Sequence, residues 1–348
     1  MSKPRIPVSI LTGFLGAGKT TLLKRWMADP AIEPFAVVVN EFGEIGLDGE
    51  LVRSGDETVV MMDSGCLCCT IKGQVAETLG DLITARDRGD VPAFERIIIE
   101  TTGLAEPGPI LHTLMTAPLL AARCRVDSVI TAVDAVHGMD QIETYAEARP
   151  QIAIAERLIV TKSDLPEAGS FDDLCKSLKQ INALAPIHKA SDPEVTDPAW
   201  LFGTALFAEP GQPTPDRWLG VAEQAAHHHA HDHTHATTLA LEWDQPLPWP
   251  MLMAWLQPIL AHFGDRILRL KAIVSLDDQP HPIALHGVHH LVHPPTELDM
   301  LDAAETPSRL VMITHNLPAT ALLAAWDEVA KGDHQPRVIA GAEPAEAH

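Results

Sequence analysis

Two short clusters hold most of the chemistry legible in this chain. The first, Gly13-Phe-Leu-Gly16-Ala17-Gly18-Lys19-Thr20, matches the pattern G-x-x-x-x-G-K-[ST] without departure. Its glycines let backbone N–H groups wrap a chain of phosphates, and the helix expected to begin at Thr20 and Thr21 adds partial positive charge. The Lys19 ammonium reaches the β and γ phosphates, and the Thr20 hydroxyl ligates Mg²⁺. The second cluster is Cys66-Leu67-Cys68-Cys69, three thiols within four residues. Neighbours this close cannot easily pair as disulfides, yet a tight turn can aim several of their sulfurs at one point. Thiolates so placed select soft or borderline cations, zinc foremost. Three thiolates leave a tetrahedral zinc one ligand short, which fits a transfer site better than a closed structural one.

Further residues extend each cluster. Arg96-Ile-Ile-Ile-Glu100-Thr-Thr-Gly103 reads as a strand ending in an acid, with a glycine three positions on. An acid there holds Mg²⁺ or orients the attacking water, and the glycine N–H can contact the γ-phosphate. Thr161-Lys162-Ser163-Asp164 has the form [N/T]-K-x-D. The Asp164 carboxylate would accept the paired N–H donors of guanine while the Lys162 stem lies across the base, so GTP is expected over ATP. Glu41, in Val39-Asn40-Glu41-Phe42-Gly43-Glu44, falls where a loop would respond to the γ-phosphate and contact Mg²⁺ or the second metal. Cys124 and Cys175 stand alone and read as small buried hydrophobes.

These residues need a scaffold that gathers loops at one edge. Short apolar runs at Ile6–Leu11, Phe35–Val39, Val59–Met62, Arg96–Ile99, Asp127–Val133 and Arg157–Val160 read as buried strands. Thr20–Met27, Lys72–Arg88, Ile110–Ala121 and Phe171–Leu184 between them read as helices. Such alternation predicts an α/β fold, a P-loop NTPase with a mostly parallel, doubly wound sheet over residues 1–208. A Pro- and His-rich linker follows at 209–236, with six of the 18 histidines between His227 and His235. Residues 237–333 read as a smaller α+β domain: strands at Thr237–Trp243, Ile267–Leu276, Pro282–Leu285, Val288–Val292 and Arg309–Ile313, and helices at Pro248–His262 and Pro318–Ala330. Lys331 onward reads as a frayed tail, assigned to 334–348.

Composition narrows the partners. Lys and Arg number 25 against 47 Asp and Glu, a formal charge of -22 that repels nucleic acid and anionic membranes. No apolar run reaches the ~20 residues of a membrane span, and the apolar segment Ile6–Phe14 runs straight into the phosphate loop rather than to a cleavage site. A reducing cytoplasm suits clustered thiols.

Taken together, the phosphate loop, Val39-Asn-Glu-Phe-Gly-Glu44, Gly65-Cys-Leu-Cys-Cys-Thr70, Glu100-Thr-Thr-Gly-Leu-Ala-Glu-Pro-Gly-Pro109, Thr161-Lys-Ser-Asp164, the histidine tract and Ser308-Arg-Leu-Val-Met-Ile-Thr-His-Asn316 resemble the CobW/YjiA family of P-loop GTPases. The resemblance covers nearly the whole chain. It implies slow hydrolysis of GTP to GDP and insertion of a metal into a client metalloprotein. Family members serve zinc homeostasis, cobalt supply for cobalamin and nitrile hydratase activation, so Co²⁺ stands beside Zn²⁺ as cargo. A reading of another class makes the chain a zinc store built on its histidine tract.

Overall fold

The computed structural model describes residues 5–40, 52–54, 57–62, 70–165, 169–202, 219, 236–292 and 294–340. By its contacts the chain divides into two compact units, Met1–Cys175 with Pro186–Ala205, and Lys176–Ala185 with Leu206–His348.

In the first unit the strands are β1 (Ile6–Thr12), β2 (Phe35–Asn40), β3 (Val52–Ser54), β4 (Glu57–Met62), β5 (Arg96–Thr101), β6 (Cys124–Asp134), β7 (Arg157–Thr161) and β8 (Ile187–Lys189). They form one sheet in the order β3-β4-β2-β5-β1-β6-β7-β8, parallel except for β3. The helices are α1 (Lys19–Met27), α2 (Thr70–Arg88), α3 (Gly108–Thr116), α4 (Pro118–Arg123), α5 (Gly138–Thr144), α6 (Ala148–Ala153), α7 (Phe171–Ile181), which belongs to this unit only as far as Cys175, and α8 (Pro198–Phe202). β1 lies between β5 and β6, so the chain winds away on both sides of it and the loop after β1 sits where the strand order reverses. Strands β5 and β7 are buried along nearly their whole length, as a sheet covered on both faces requires. On one face Leu22, Leu23 and Trp26 of α1 pack with Val37, Ile98, Ile130 and Ile159 and with Leu201 and Phe202 of α8.

The second unit holds β9 (Ala236–Trp243), β10 (Ile267–Val274), β11 (Ile283–Val288), β12 (Leu291–Val292), β13 (Thr296–Glu297), β14 (Ser308–His315) and β15 (Arg337–Ala340), with helices α9 (Trp249–Phe263) and α10 (Ala319–Ala330). Its sheet is antiparallel, ordered β12-β11-β10-β14-β9-β15, with β13 on β11. The two helices bury one face around Trp243, Trp255 and Trp326; the Trp326 ring lies tilted against Trp243 at 4.9 Å and edge-on to Trp255 at 5.3 Å. Leu184 and Leu219 join Ala240, Ile273, Ala284, Leu298 and Val311 in a second apolar cluster.

The sequence-based expectations need three adjustments. The helix expected over Ile110–Ala121 is two, α3 and α4, because Ala117 precedes Pro118 and takes an extended ψ of 119°. The strands expected at Pro282–Leu285 and Val288–Val292 are redrawn as the hairpin of β11 and β12, turning at His289, whose φ is +55°. The tail assigned to 334–348 contains β15, which pairs with β9 and carries Arg337 to Glu242.

Candidate nucleotide site

Residues 13–18 join β1 to α1, and each end of the turn is fixed by what it touches. At Gly13, with φ +136°, a β-carbon would stand 2.2 Å from the Ala132 carbonyl oxygen, so only glycine lets the loop leave the sheet there. The first turn of α1 contains no acidic side chain, leaving its positive end uncompensated and suited to phosphates. Lys19 is only 8% exposed and curls back along the loop, its Nζ donating to Gly13 O at 2.7 Å and Phe14 O at 3.1 Å. Burial pulls its pKa down, against the opposing pull of Glu100. Ala17 is buried and its N–H donates to Phe14 O, while Gly16, Thr20 and Thr21 face outward.

Glu100, the residue before the last of β5, lies beside this loop. Its Oε1 accepts a hydrogen bond from the Thr20 hydroxyl at 2.8 Å, and one residue on, the Thr101 hydroxyl donates to Thr12 Oγ1 at 2.8 Å. A hydroxyl and a carboxylate oxygen converging at the start of a phosphate-binding helix are hard oxygen donors, the set that Mg²⁺ takes together with substrate phosphates. Gly103 follows where backbone meets backbone: a β-carbon there would stand 2.4 Å from Leu15 N. The loop after β5 therefore rests directly on the phosphate loop.

A residue that the sequence reading passed over holds that loop from behind. Gln151 of α6 is 1% exposed, and its Nε2 donates to Gly103 O at 3.1 Å and to Ala105 O at 3.0 Å. Its backbone carbonyl accepts from the Thr131 hydroxyl at 2.7 Å. Nothing in the local pattern flags it, because α6 is six residues long and too short for an amphipathic period to show.

At the end of β7, the Thr161 hydroxyl hydrogen-bonds both Ala17 O at 2.8 Å and Val133 O at 3.2 Å, stitching this motif to the phosphate loop. Lys162 takes a left-handed φ of +56°, and its Nζ meets Asp134 Oδ2 at 2.7 Å. Asp134 is a second functional side chain that the sequence reading missed, since it ended that strand one residue earlier, at Val133. It is 1% exposed, and its other oxygen accepts from the N–H groups of Val136 and His137. Burial alone would raise its pKa, but the Lys162 hydrogen bond and these backbone donors hold it below the usual carboxylate range. Lys162 thus has its ammonium anchored on Asp134, and Asp164 two residues on is exposed.

Cys66, Cys68, Cys69 and Glu41 lie outside the described residues, as does the histidine tract 227–235. The described flanks are β4, ending at Met62, and α2, beginning at Thr70; Met62 pairs with Asn40 at the end of β2, which pairs with Thr101 of β5. Of the other two thiols, Cys124 is buried, with its pKa pushed up to about 11 by that burial, and Cys175 is half-buried.

No helix among the described residues is long and apolar enough to cross a membrane. Residues 7–189 match the CobW/HypB/UreG nucleotide-binding domain, and residues 236–330 match the cobalamin synthesis protein cobW C-terminal domain. The chain is 32% identical over 324 residues to the zinc chaperone YjiA of Escherichia coli strain K12, covering 92% of this chain and 98% of that one. It is 30% identical to the zinc chaperone CobW of Pseudomonas aeruginosa, covering 91% and 90% respectively. Its fold resembles the crystal structure of zinc-bound YjiA GTPase from E. coli with a TM-score of 0.71 at 26% identity, over 94% of this chain and 99% of that one. With a phosphate loop, a Mg²⁺-suited Thr20–Glu100 pair and both family domains in sequence, the chain belongs to the CobW/HypB/UreG family of P-loop GTPases.

Proposed function

We propose that this GTPase is a metallochaperone that binds zinc through Cys66, Cys68 and Cys69 and uses GTP hydrolysis to release it to a client metalloprotein. The relatives that match it over nine-tenths of its length carry the name zinc chaperone. The observation that carries the reading is topological. β4, β2 and β5 are consecutive strands in one sheet, so the segments holding the cysteines, Glu41 and Glu100 leave neighbouring strands at the same edge. Adjacent strands stand about 4.8 Å apart, so Met62, which precedes the cysteine segment in sequence, ends its strand two strands, roughly 10 Å, from β5, the strand that carries Glu100.

In this reading Lys19 leaves its two loop carbonyls for the β and γ phosphates, and the N–H groups of residues 13–18 wrap the phosphate chain. Thr20 and Glu100 would hold Mg²⁺, which supplies charge neutralisation on the transferred phosphoryl group. Asp164 reads guanine, with Lys162 braced by Asp134. Gly103, pressed against Leu15 and held by Gln151, contacts the γ-phosphate through its N–H. Loss of that phosphate releases Glu41 and its neighbours and changes the geometry around the thiolates.

Zinc affinity, measured against a competing chelator, should differ between the GDP-bound and the nonhydrolysable-GTP-bound chain by about 5-fold or more, and zinc should shift nucleotide affinity by the same factor. Cys66→Ser, Cys68→Ser and Cys69→Ser combined should abolish that difference. Equal zinc affinities in the two nucleotide states would overturn the coupling.

A further inference from the structure

A cluster of metal-ligating side chains lies in the first unit, outside the nucleotide machinery. His188 is the middle residue of edge strand β8, Asp192 follows in the turn after it, and Glu194 lies in the single 3₁₀ turn Pro193–Thr196. His188 Nδ1 is 3.4 Å from Asp192 Oδ2 and 3.7 Å from Glu194 Oε2, and one ligand atom from each of the three falls within 4.8 Å of the others. Both distances exceed the 2.7–3.2 Å of an ordinary N–H···O bond. They approach the ligand-to-ligand edge of a tetrahedral zinc site, which is about 3.3 Å for bonds of about 2.0–2.1 Å.

Two of the three ligands are held by structure that does not depend on an ion. The His188 ring packs edge-on against Trp200 at 4.8 Å, and Trp200 is itself fixed by Arg157, whose Nε donates to the Trp200 carbonyl at 2.9 Å. Asp192 Oδ2 accepts the Lys189 N–H at 2.8 Å, which orients the carboxylate while leaving lone pairs for a cation. The 3₁₀ turn carrying Glu194 is pinned through Val195, fully buried, whose carbonyl accepts Trp26 Nε1 of α1 at 2.8 Å. Glu194 itself is the most exposed of the three and can swing to close the set. The nearby cations are occupied elsewhere: Lys189 Nζ sits over the Phe171 ring and Arg25 donates to the Ala190 carbonyl.

We infer that His188, Asp192 and Glu194 form a second metal site that takes a divalent transition ion such as zinc through one imidazole and two carboxylates, with its fourth position open to water or an incoming ligand. An imidazole in the set selects zinc, nickel or cobalt over Mg²⁺. The site does not rest on the chaperone reading, because none of its residues belongs to the thiolate cluster or the nucleotide pocket.

The test uses the full chain with Cys66, Cys68 and Cys69 changed to Ser and residues 227–235 deleted, so that the thiolate cluster and the histidine tract no longer compete for zinc. Titrated with zinc against a chromophoric chelator in excess Mg²⁺, this background should retain about one zinc per chain. Loss of a mere supporting partner of a metal ligand typically costs 10–100-fold in affinity, so His188→Ala and Glu194→Gln should each weaken binding by at least about tenfold. Glu194→Gln touches no core residue, and circular dichroism checks that both variants fold. A background that retains no zinc, or folded variants that retain it undiminished, would overturn the assignment.

Discussion

The two units bury charge for different ends. In the first, although Asp127 is spent on Arg96 and Arg125 between strands, four buried polar contacts gather at the edge where the parallel strands stop: Lys19 on the phosphate loop, Glu100 on Thr20, Asp134 on Lys162, Thr161 on Ala17. In the second, Glu242 of β9 lies level with Arg309 of β14 on one side and Arg337 of β15 on the other, and it bonds both. The first arrangement leaves its charges poised for a ligand, whereas the second spends them on each other across three strands. Burial of charge thus marks a binding site only where the partners are loops and helix starts rather than neighbouring strands.

That contrast can be broken at either end. The largest effect belongs to Lys19→Ala, which removes the one buried ammonium aimed along the phosphate loop: GTP turnover should fall by about 10²–10³ with no loss of thermal stability, since a desolvated charge is removed. Comparable turnover in the variant would remove Lys19 from catalysis. Asp134→Asn should act more mildly, weakening GTP affinity by about tenfold through a loosened Lys162 while leaving turnover at saturation close to native. Because the Asp134 carboxyl is held below its usual range, this pair contributes fully at neutral pH and is lost only as acidification passes its lowered pKa; a titration of GTP affinity showing a step near pH 6 would point to another group. Smallest for function is Glu242→Gln, which should cost about 1–2 kcal/mol in urea unfolding and leave GTP turnover per folded chain unchanged. Burial pushes the Glu242 pKa up, yet Arg337 and Arg309 hold it down overall, so its stabilisation is present above the ordinary carboxylate pKa and is lost as pH falls through the lowered one. Lost turnover in this variant would mean that the second unit's ladder serves the first unit's chemistry after all.

How far the sequence could reveal all this depended on the kind of signal. The parallel sheet was legible because strands covered on both faces, such as Arg96–Thr101, are unbroken apolar runs. The phosphate loop was legible because its spacing is imposed by phosphate geometry. Asp134 was not, since a carboxylate one residue past an apolar run looks like ordinary strand-end polarity until Lys162 arrives from a strand beside it. Gln151 was hidden for a related reason: its meaning lies in two carbonyls more than forty residues away in sequence. β15 escaped because a four-residue strand is defined by the neighbour it pairs with, and a short Arg-Val-Ile-Ala run in a polar stretch resembles a tail. The cluster at His188 was overlooked because His188 and Asp192, four residues apart as ligands on a helix would be, lie on a strand and in the turn after it, where no helical period could mark them.

That short strand has one more consequence. β9 has neighbours on both sides only while 337–340 are in place. A chain cut before Arg337 would bare a row of backbone N–H and C=O groups along an eight-residue apolar strand, the kind of surface that recruits a second molecule edge to edge. Strand β15 therefore acts as a guard against self-association.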